Sequence, residues 1–420
     1  MLFLLLLVSL PLLSLRSHRN IPVDTSQPVP APVEDPARYA VIKENFADPC
    51  LVTDVFGKHY AFATGNATLG INVQIASALS NDLSQWTVHR GQDALPVLGE
   101  WALQPNAIAQ VWAPDVVQRP DGQWVLYYSA LHHNHTRTHC IGTAVSNIVS
   151  GPYQPLSEPL ACNFEAGGAI DPAHFYDPLT GNNYVIFKDD GNAIGSGGAC
   201  DNSNLPNKPT PLRSQLVNSA DMLTPVGKPT YILDNFPEDG ADIEGPQMWY
   251  SNDTGVPTYH LLYSSGCYHD ESYKLKHIVC IADLRGNNWN MTAWELCSWQ
   301  LAISWPQIIL QYENRNQSWR IGEFLKTGDM LVPGQEDSRV YAPGGAGVGR
   351  QDGHVMVFHG DLNLAFFKDP DHEQRVRGMF ISGLAYPNKR DRLSMGTLKF
   401  QGGHKQKTLR ERLFGWYYKY

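Results

Sequence analysis

The sequence predicts an all-β protein, a five-bladed β-propeller, from three observations: a fivefold internal repeat, an aromatic strand beside a glycine-containing turn in every copy, and little capped helical periodicity. The copies run from Phe46 to Thr64, Trp112 to Ala130, Ile170 to Lys188, Ile243 to Gly266 and Pro343 to Gly360. Each joins a short, usually acidic lead and an aliphatic strand, through the turn, to a strand such as YAFAT, WVLYYSA, YVIFK, YHLLYSS or VMVFH. One small antiparallel sheet cannot bury both of its faces, so such sheets stack around an axis until the ring closes. Equivalent positions on the innermost strands then converge on that axis, whatever their separation in sequence.

The elements follow in chain order. Residues 1–20 begin MLFLLLLVSLPLLSL, an apolar run too short to span a bilayer and followed by small and basic residues, which reads as a cleaved secretory signal peptide. Residues 21–39 form a Pro-rich, extended arm. Residues 40–400 form the propeller, a single domain because closing the ring requires every blade. From Asp48 to Asp115 is 67 residues, to Asp171 a further 56, to Glu244 a further 73 and to the fifth copy about 100, so long loops separate the blades. Residues 401–420 form an extension whose Lys405, Lys407, Arg410, Arg412 and Lys419 make the one basic cluster, read as solvated surface.

A net charge of −9 argues against a nucleic-acid partner. No later stretch is apolar enough to span a bilayer, so the mature chain is expected to be secreted, extracellular, free of the membrane and monomeric. Sequons at Asn66, Asn134, Asn252, Asn290 and Asn316 fit that route. Seven cysteines leave at least one outside any intrachain pairing, and Cys140 with Cys162 and Cys267 with Cys280 are the candidate disulfides. No C-x-x-C occurs, so cysteine spacing offers no metal site.

Four leads carry a carboxylate: Asp48, Asp115, Asp171 and Glu244. Alone, each Asp reads as a turn or cap residue; four in register with a repeat point to chemistry. Asp48 and Asp115 adjoin proline, which restricts the backbone, and Gly245 lets the chain approach a ligand closely. Glycoside hydrolysis needs such a set: one carboxylate takes a proton from water, one acid gives a proton to the leaving oxygen, and a third raises the donor's pKa by repulsion.

These motifs carry a resemblance. ADPC, WAPDV, GGAIDP with FKDDGNAIGSGG, IEGP, PGGAGV and VFHG resemble glycoside hydrolase family 43, five-bladed propellers acting on arabinose- and xylose-containing polysaccharides, over most of residues 40–360. The resemblance implies that Asp48 is the general base, Glu244 the general acid and Asp115 the residue that tunes and orients it, in an inverting reaction. Such a reaction separates base and acid by about 6.5 to 9.5 Å. Asp171 is then a structural residue or a substrate contact, and Asp189 and Asp190 organise a loop. Many members carry a histidine after the fifth Pro-Gly, in some beside calcium; Gly345 and Ala346 stand here instead, so no cofactor or metal is expected. His354 and His359 read as ordinary strand histidines.

Trp101, Trp112 and Phe46 are candidates to stack on a sugar ring, with Trp112 and Phe46 joining Asp171 as substrate-binding residues, whereas Trp249 and Tyr250 read as blade core. The segment from Trp299 to Tyr341 is longer than a blade needs and is placed to reshape the cleft. The first reading is a secreted glycosidase that removes α-L-arabinofuranosyl residues from arabinan or arabinoxylan. A β-xylosidase or an endo-1,5-α-L-arabinanase shares the acids and differs in loops. A noncatalytic carbohydrate-binding propeller keeps the aromatics and loses the proton-transfer pair, which this chain retains.

Overall fold

A computed structural model of the chain describes residues 39–104, 111–252, 258–281, 319–329, 331, 339–349, 355–369, 374–385 and 394–396. The expected signal peptide, the expected arm up to residue 38 and the expected extension at 401–420 lie outside these residues, as do His354, Cys297, the sequons at Asn290 and Asn316, and most of the segment from Trp299 to Tyr341.

Among the described residues, twenty strands form five four-stranded antiparallel sheets, the predicted five blades. Blade 1 is β1 (Cys50–Thr53), β2 (His59–Ala63), β3 (Gln74–Ala78) and β4 (Trp86–Val88). Blade 2 is β5 (Trp112–Gln118), β6 (Trp124–His132), β7 (His135–Ser146) and β8 (Gln154–Pro155). Blade 3 is β9 (Ala169–Asp177), β10 (Asn182–Asp189), β11 (Leu212–Val217) and β12 (Thr230–Leu233). Blade 4 is β13 (Ile243–Ser251), β14 (Thr258–Ser265), β15 (Lys274–Ile281) and β16 (Trp319–Leu325). Blade 5 is β17 (Gly344–Val348), β18 (Val355–Asp361), β19 (Arg377–Ala385) and β20 (Ser394–Gly396).

The aromatic strand of each repeat is the second strand of its blade, and its composition follows from having both faces buried. Successive side chains on a strand point to opposite faces. In β6, Trp124, Leu126 and Tyr128 enter the core shared with blade 1, while Val125 and Tyr127 enter the core shared with blade 3. Three further wedges of buried side chains fill the remaining junctions, such as Phe175, Tyr184 and Tyr259 between blades 3 and 4, and Leu262 and Phe358 between blades 4 and 5. The last wedge, with Leu51, Ala61, Val357 and Met379, joins blade 5 to blade 1.

The ring closes through both side chains and backbone. The innermost strands β1, β5, β9, β13 and β17 contact one another in that order, and β17 contacts β1. Outside them, the chain entering blade 1 pairs with blade 5: Val41 N donates to Met379 O at 2.8 Å, Met379 N to Ile42 O at 3.0 Å, and Phe46 N to Arg377 O at 2.8 Å. This clasp ties the segment carrying Asp48 to the start of β19.

Each lead makes the same turn. Asp48, Ala113, Asp171, Gly245 and Gly345 all have left-handed φ, at 52°, 43°, 57°, 57° and 52°. In four of them the next residue is Pro49, Pro114, Pro172 or Pro246. The true repeat register therefore places Ala113, and not Asp115, opposite Asp48. Asp115 lies two residues further on, and Glu244 one residue earlier than its blade's turning residue. The pairing of first and second strands also shifts between Trp112 and Asp115, between Glu244 and Gln247, and between Gly344 and Gly347. Such bulges re-aim side chains at the end of a strand.

The disulfide predicted between Cys140 and Cys162 is present. The pairing of Cys267 with Cys280 is not: Cys267 bonds to Cys200, across 67 residues. The register explains this. Cys267 follows Ser265, which pairs with Lys274, whereas Cys280 pairs with Tyr259 six residues further along the hairpin, roughly 20 Å away. Cys50 is buried in the wedge between blades 1 and 2.

Candidate active site

The leads of all five blades open into one cavity, lined among others by Asp48, Trp112, Asp115, Asp171, Glu244 and Arg377. Carboxylates separated by almost two hundred residues thus share one space.

Asp48 is tied to three blades. Thr64 Oγ1 donates to Asp48 Oδ2 at 2.5 Å and itself accepts from Ala113 N at 3.0 Å. His359 Nδ1 lies 3.1 Å from Asp48 N and 3.2 Å from Oδ1, so it serves the amide or the carboxylate according to its tautomer. Arg377 Nη1 is 3.9 Å from the same Oδ1. Burial pushes the Asp48 carboxyl up, but Arg377, His359 and Thr64 outweigh it and hold the group well below the usual carboxylate range. Asp48 is a firmly ionised carboxylate.

The fifth lead has glycines because other groups occupy the space of its side chains. A Cβ on Gly345 would sit 2.5 Å from Asp48 Oδ1 and 2.7 Å from His359 Nδ1, and one on Gly344 would fall 2.0 Å from the Tyr273 ring. The same contacts bear on calcium, which the resemblance associates with a histidine after the fifth Pro-Gly. No side chain fits at Gly345, so the residues present do not match that arrangement.

Glu244 has opposite surroundings. Tyr273 Oη donates to its Oε1 at 2.7 Å, and Lys188 Nζ lies 3.3 Å from Oε2. Lys188 also contacts Asp242 at 3.1 Å and Asp190 at 3.7 Å. Asp171 Oδ2 accepts from Gly245 N at 2.8 Å, on the residue that follows Glu244. Burial raises Asp171 well above the usual carboxylate value and repulsion from Glu244 adds to it; the attraction of Lys188 does not cancel these. Two carboxyls of the same cavity are thus moved in opposite directions: Asp48 is lowered by its cations, while Asp171 is raised by burial and, after it, by repulsion from Glu244.

Of the residues expected at the site, Asp48, Asp115, Asp171, Glu244 and Trp112 line the cavity. Asp115 does so with its carboxylate turned to the neighbouring strand: it is buried, and its Oδ2 accepts from His174 N at 2.6 Å. Asp171 is the acid placed against the Glu244 segment. Trp112 is 37% exposed and stacks on His139 with ring centroids 3.7 Å apart, which leaves it a face for a ligand.

Phe46 is not at the site. It is fully buried between blades 1 and 5 beside Met379, because its backbone belongs to the clasp on β19. Trp101 is likewise core, stacked on Tyr128. Trp249 and Tyr250 pack in the core as expected. Asp189 organises its loop through Arg213 at 2.8 Å and Asn163 at 3.3 Å, whereas Asp190 joins the Lys188 group.

Lys188, Asp242, Tyr273, Thr64 and Arg377 do not stand out in the sequence, and His359 reads there as an ordinary strand histidine, packed or solvent-facing. His359 is fully buried, yet it packs against Asp48. One signal was available: Lys188 ends YVIFK, a strand apolar on both faces, where a cation requires buried acids.

A five-bladed propeller whose axial cavity holds one carboxyl lowered by cations, Asp48, and one raised by burial and a neighbouring acid, Asp171, defines a class of protein built for acid–base chemistry on a bound ligand. The chain belongs to glycosyl hydrolases family 43, whose family model matches residues 37–288. An extracellular endo-α-(1→5)-L-arabinanase 2 of Bacillus subtilis (strain 168) is 31% identical over 127 residues, 28% of this chain and 25% of that protein. An extracellular endo-α-(1→5)-L-arabinanase of Thermotoga petrophila is 27% identical over 179 residues, 36% of this chain and 34% of that protein. The chain thus spans a quarter to a third of the curated relatives it matches. The fold is similar to that of a thermostable family-43 glycoside hydrolase, with a TM-score of 0.55 and 18% identity, covering 86% of this chain and 97% of that one. Among the described residues no helix is long and apolar enough to cross a membrane.

Proposed function

We propose that this protein is a secreted, inverting glycoside hydrolase that removes α-L-arabinofuranosyl residues from arabinan or arabinoxylan. The observation that carries the reading is the opposed setting of Asp48 and Glu244 in one cavity. Asp48, ionised, takes a proton from water as the water oxygen bonds to the anomeric carbon. Glu244 gives its proton to the departing glycosidic oxygen as the C–O bond breaks, and the attack from the opposite face inverts the centre. Asp171, and not Asp115, tunes the donor in this reading, because its Oδ2 is bonded to Gly245 N beside Glu244 and the two carboxyls repel each other. Trp112 offers its free face to the sugar.

A second reading, endo-cleavage of α-1,5-arabinan, is favoured by the names of both curated relatives. Hydrolysis of nitrophenyl α-L-arabinofuranoside, nitrophenyl β-xyloside, linear arabinan and arabinoxylan separates these, with proton NMR of the first-formed sugar reporting the anomer. Release of arabinose of inverted configuration supports the first reading. Internal cleavage of linear arabinan supports the second, and binding to arabinan with no turnover of any substrate would leave only a binding module.

Asp171→Asn is expected to shift the basic limb of the kcat/KM profile to lower pH. Repulsion between the Asp171 and Glu244 carboxylates opposes loss of the last proton from the two, and a neutral amide removes that repulsion. Asp115→Asn is expected to leave that limb in place, and a shift in Asp115→Asn alone would return the tuning role to it.

A further inference from the structure

Lys188 is the last residue but one of β10, a strand whose apolar residues fill the wedges on either side, and only 1% of its side chain is exposed. A cation in contact with a proton donor favours the ionised donor and would drive the proton off. Its ammonium is shared, however. Asp242 Oδ2 holds it at 3.1 Å, slightly closer than Glu244 Oε2 at 3.3 Å, with Asp190 Oδ1 at 3.7 Å. Asp242 is fixed in turn, since Asn192 Nδ2 donates to the same Oδ2 at 2.8 Å. Its Oδ1 is buried and has no hydrogen-bond partner. A buried acid left half satisfied is costly. It stands two residues before Glu244, where it faces the one cation that, among the described residues, touches the donor.

We infer, on the reading of Glu244 as proton donor, that Lys188 and Asp242 are a balanced pair of positioning residues for it. Lys188 fixes Oε2 and faces the negative charge that Glu244 gains as its O–H bond breaks and the leaving oxygen takes the proton. Asp242 draws part of that cation away, so the proton is held until a leaving group arrives. The arrangement is preorganised for charge that develops during the reaction. Neither residue touches the sugar.

The other charged and titratable groups facing Glu244 come from several elements. They are Asp171 from β9, Asp190 after β10, Tyr273 before β15, and Tyr268 and His269 in the turn between β14 and β15. Arg377 stands on the Asp48 side of the cavity. All are unchanged in the variants below, so movement of the limb reports the pair.

The test is the pH dependence of kcat/KM for Asp242→Asn, Lys188→Met and the double variant, on aryl pentosides with good and poor leaving groups. Asp242→Asn releases Lys188 toward Glu244 and moves the basic limb down by about 1 pH unit; Lys188→Met moves it up by a similar amount. The double variant removes both charges and returns the limb close to its original position. Lys188→Met also loses about tenfold more rate on the poor leaving group than on the good one, because the carboxylate formed by donation has lost its cation. Single variants that move the limb in the same direction, or not at all, overturn the inference. If Lys188→Met does not fold, Asp242→Asn decides by its direction, with Lys188→Arg expected to keep the limb near its original place. A parent protein with no glycosidase activity would refute the function itself, whereas an active parent with unmoved limbs refutes only the role of this pair.

Discussion

Glu244→Gln is expected to lower kcat on a substrate with a poor leaving group by about 10²- to 10⁴-fold, the usual range for losing a general acid. The amide replaces the acid with little change of shape. Its oxygen can face Lys188 Nζ, now 3.3 Å from Oε2, and its NH₂ can donate to Tyr273 Oη, now 2.7 Å from Oε1. What disappears is the proton for the glycosidic oxygen. The loss should therefore shrink on dinitrophenyl pentosides, whose leaving group departs as an anion, while thermal unfolding stays close to that of the parent. A leaving-group series for parent and variant checks this, and an equal loss across the series would remove Glu244 from the role of donor.

Asp48→Asn is expected to produce a loss of similar size, about 10²- to 10⁴-fold, on good and poor leaving groups alike, because water attacks every substrate. Its acid limb should disappear as well. In the parent, Arg377, His359 and Thr64 keep Asp48 ionised well below the usual carboxylate range, so activity should persist into acid and fall only as that carboxylate takes a proton. The charge on Arg377 loses its partner in the variant, so some loss of stability accompanies the loss of rate. Added azide separates the two effects. An anion attacks without giving up a proton, so it should restore turnover in the variant and yield a glycosyl azide of inverted configuration. Unimpaired hydrolysis by Asp48→Asn, or a retained acid limb, would exclude Asp48 as the base.

The ring was legible in the sequence because both of its causes are local. An aromatic strand beside a glycine turn needs neighbours on both faces, and β6 shows the result in WVLYYSA, whose side chains alternate between two wedges. The disulfide from Cys140 to Cys162 was legible for the same reason, since it spans one connection within the ring. Asp115 was misread because the copies were aligned on their acids. The backbone aligns them on the left-handed residue, most often before proline, which places Ala113 at the equivalent of Asp48 and Asp171. An Asp adopts that conformation more readily than most residues, which made the acids a natural, though wrong, guide to the register in blade 2.

By itself the sequence determined five blades, an acid at four of the leads and Trp112 beside the cavity. Only the tertiary structure decided which groups govern which acid. Arg377 reaches Asp48 because the N-terminal clasp docks on β19, and Lys188 reaches Glu244 from the neighbouring blade across 56 residues. Phe46, adjacent in sequence to the site, turns instead into a wedge. The physical reason is that charge interactions depend on separation through space and on burial, neither of which is written along the chain. Asp48 and Asp171, each a turning residue before a proline, therefore have their carboxyls shifted in opposite directions only when the ring closes around them.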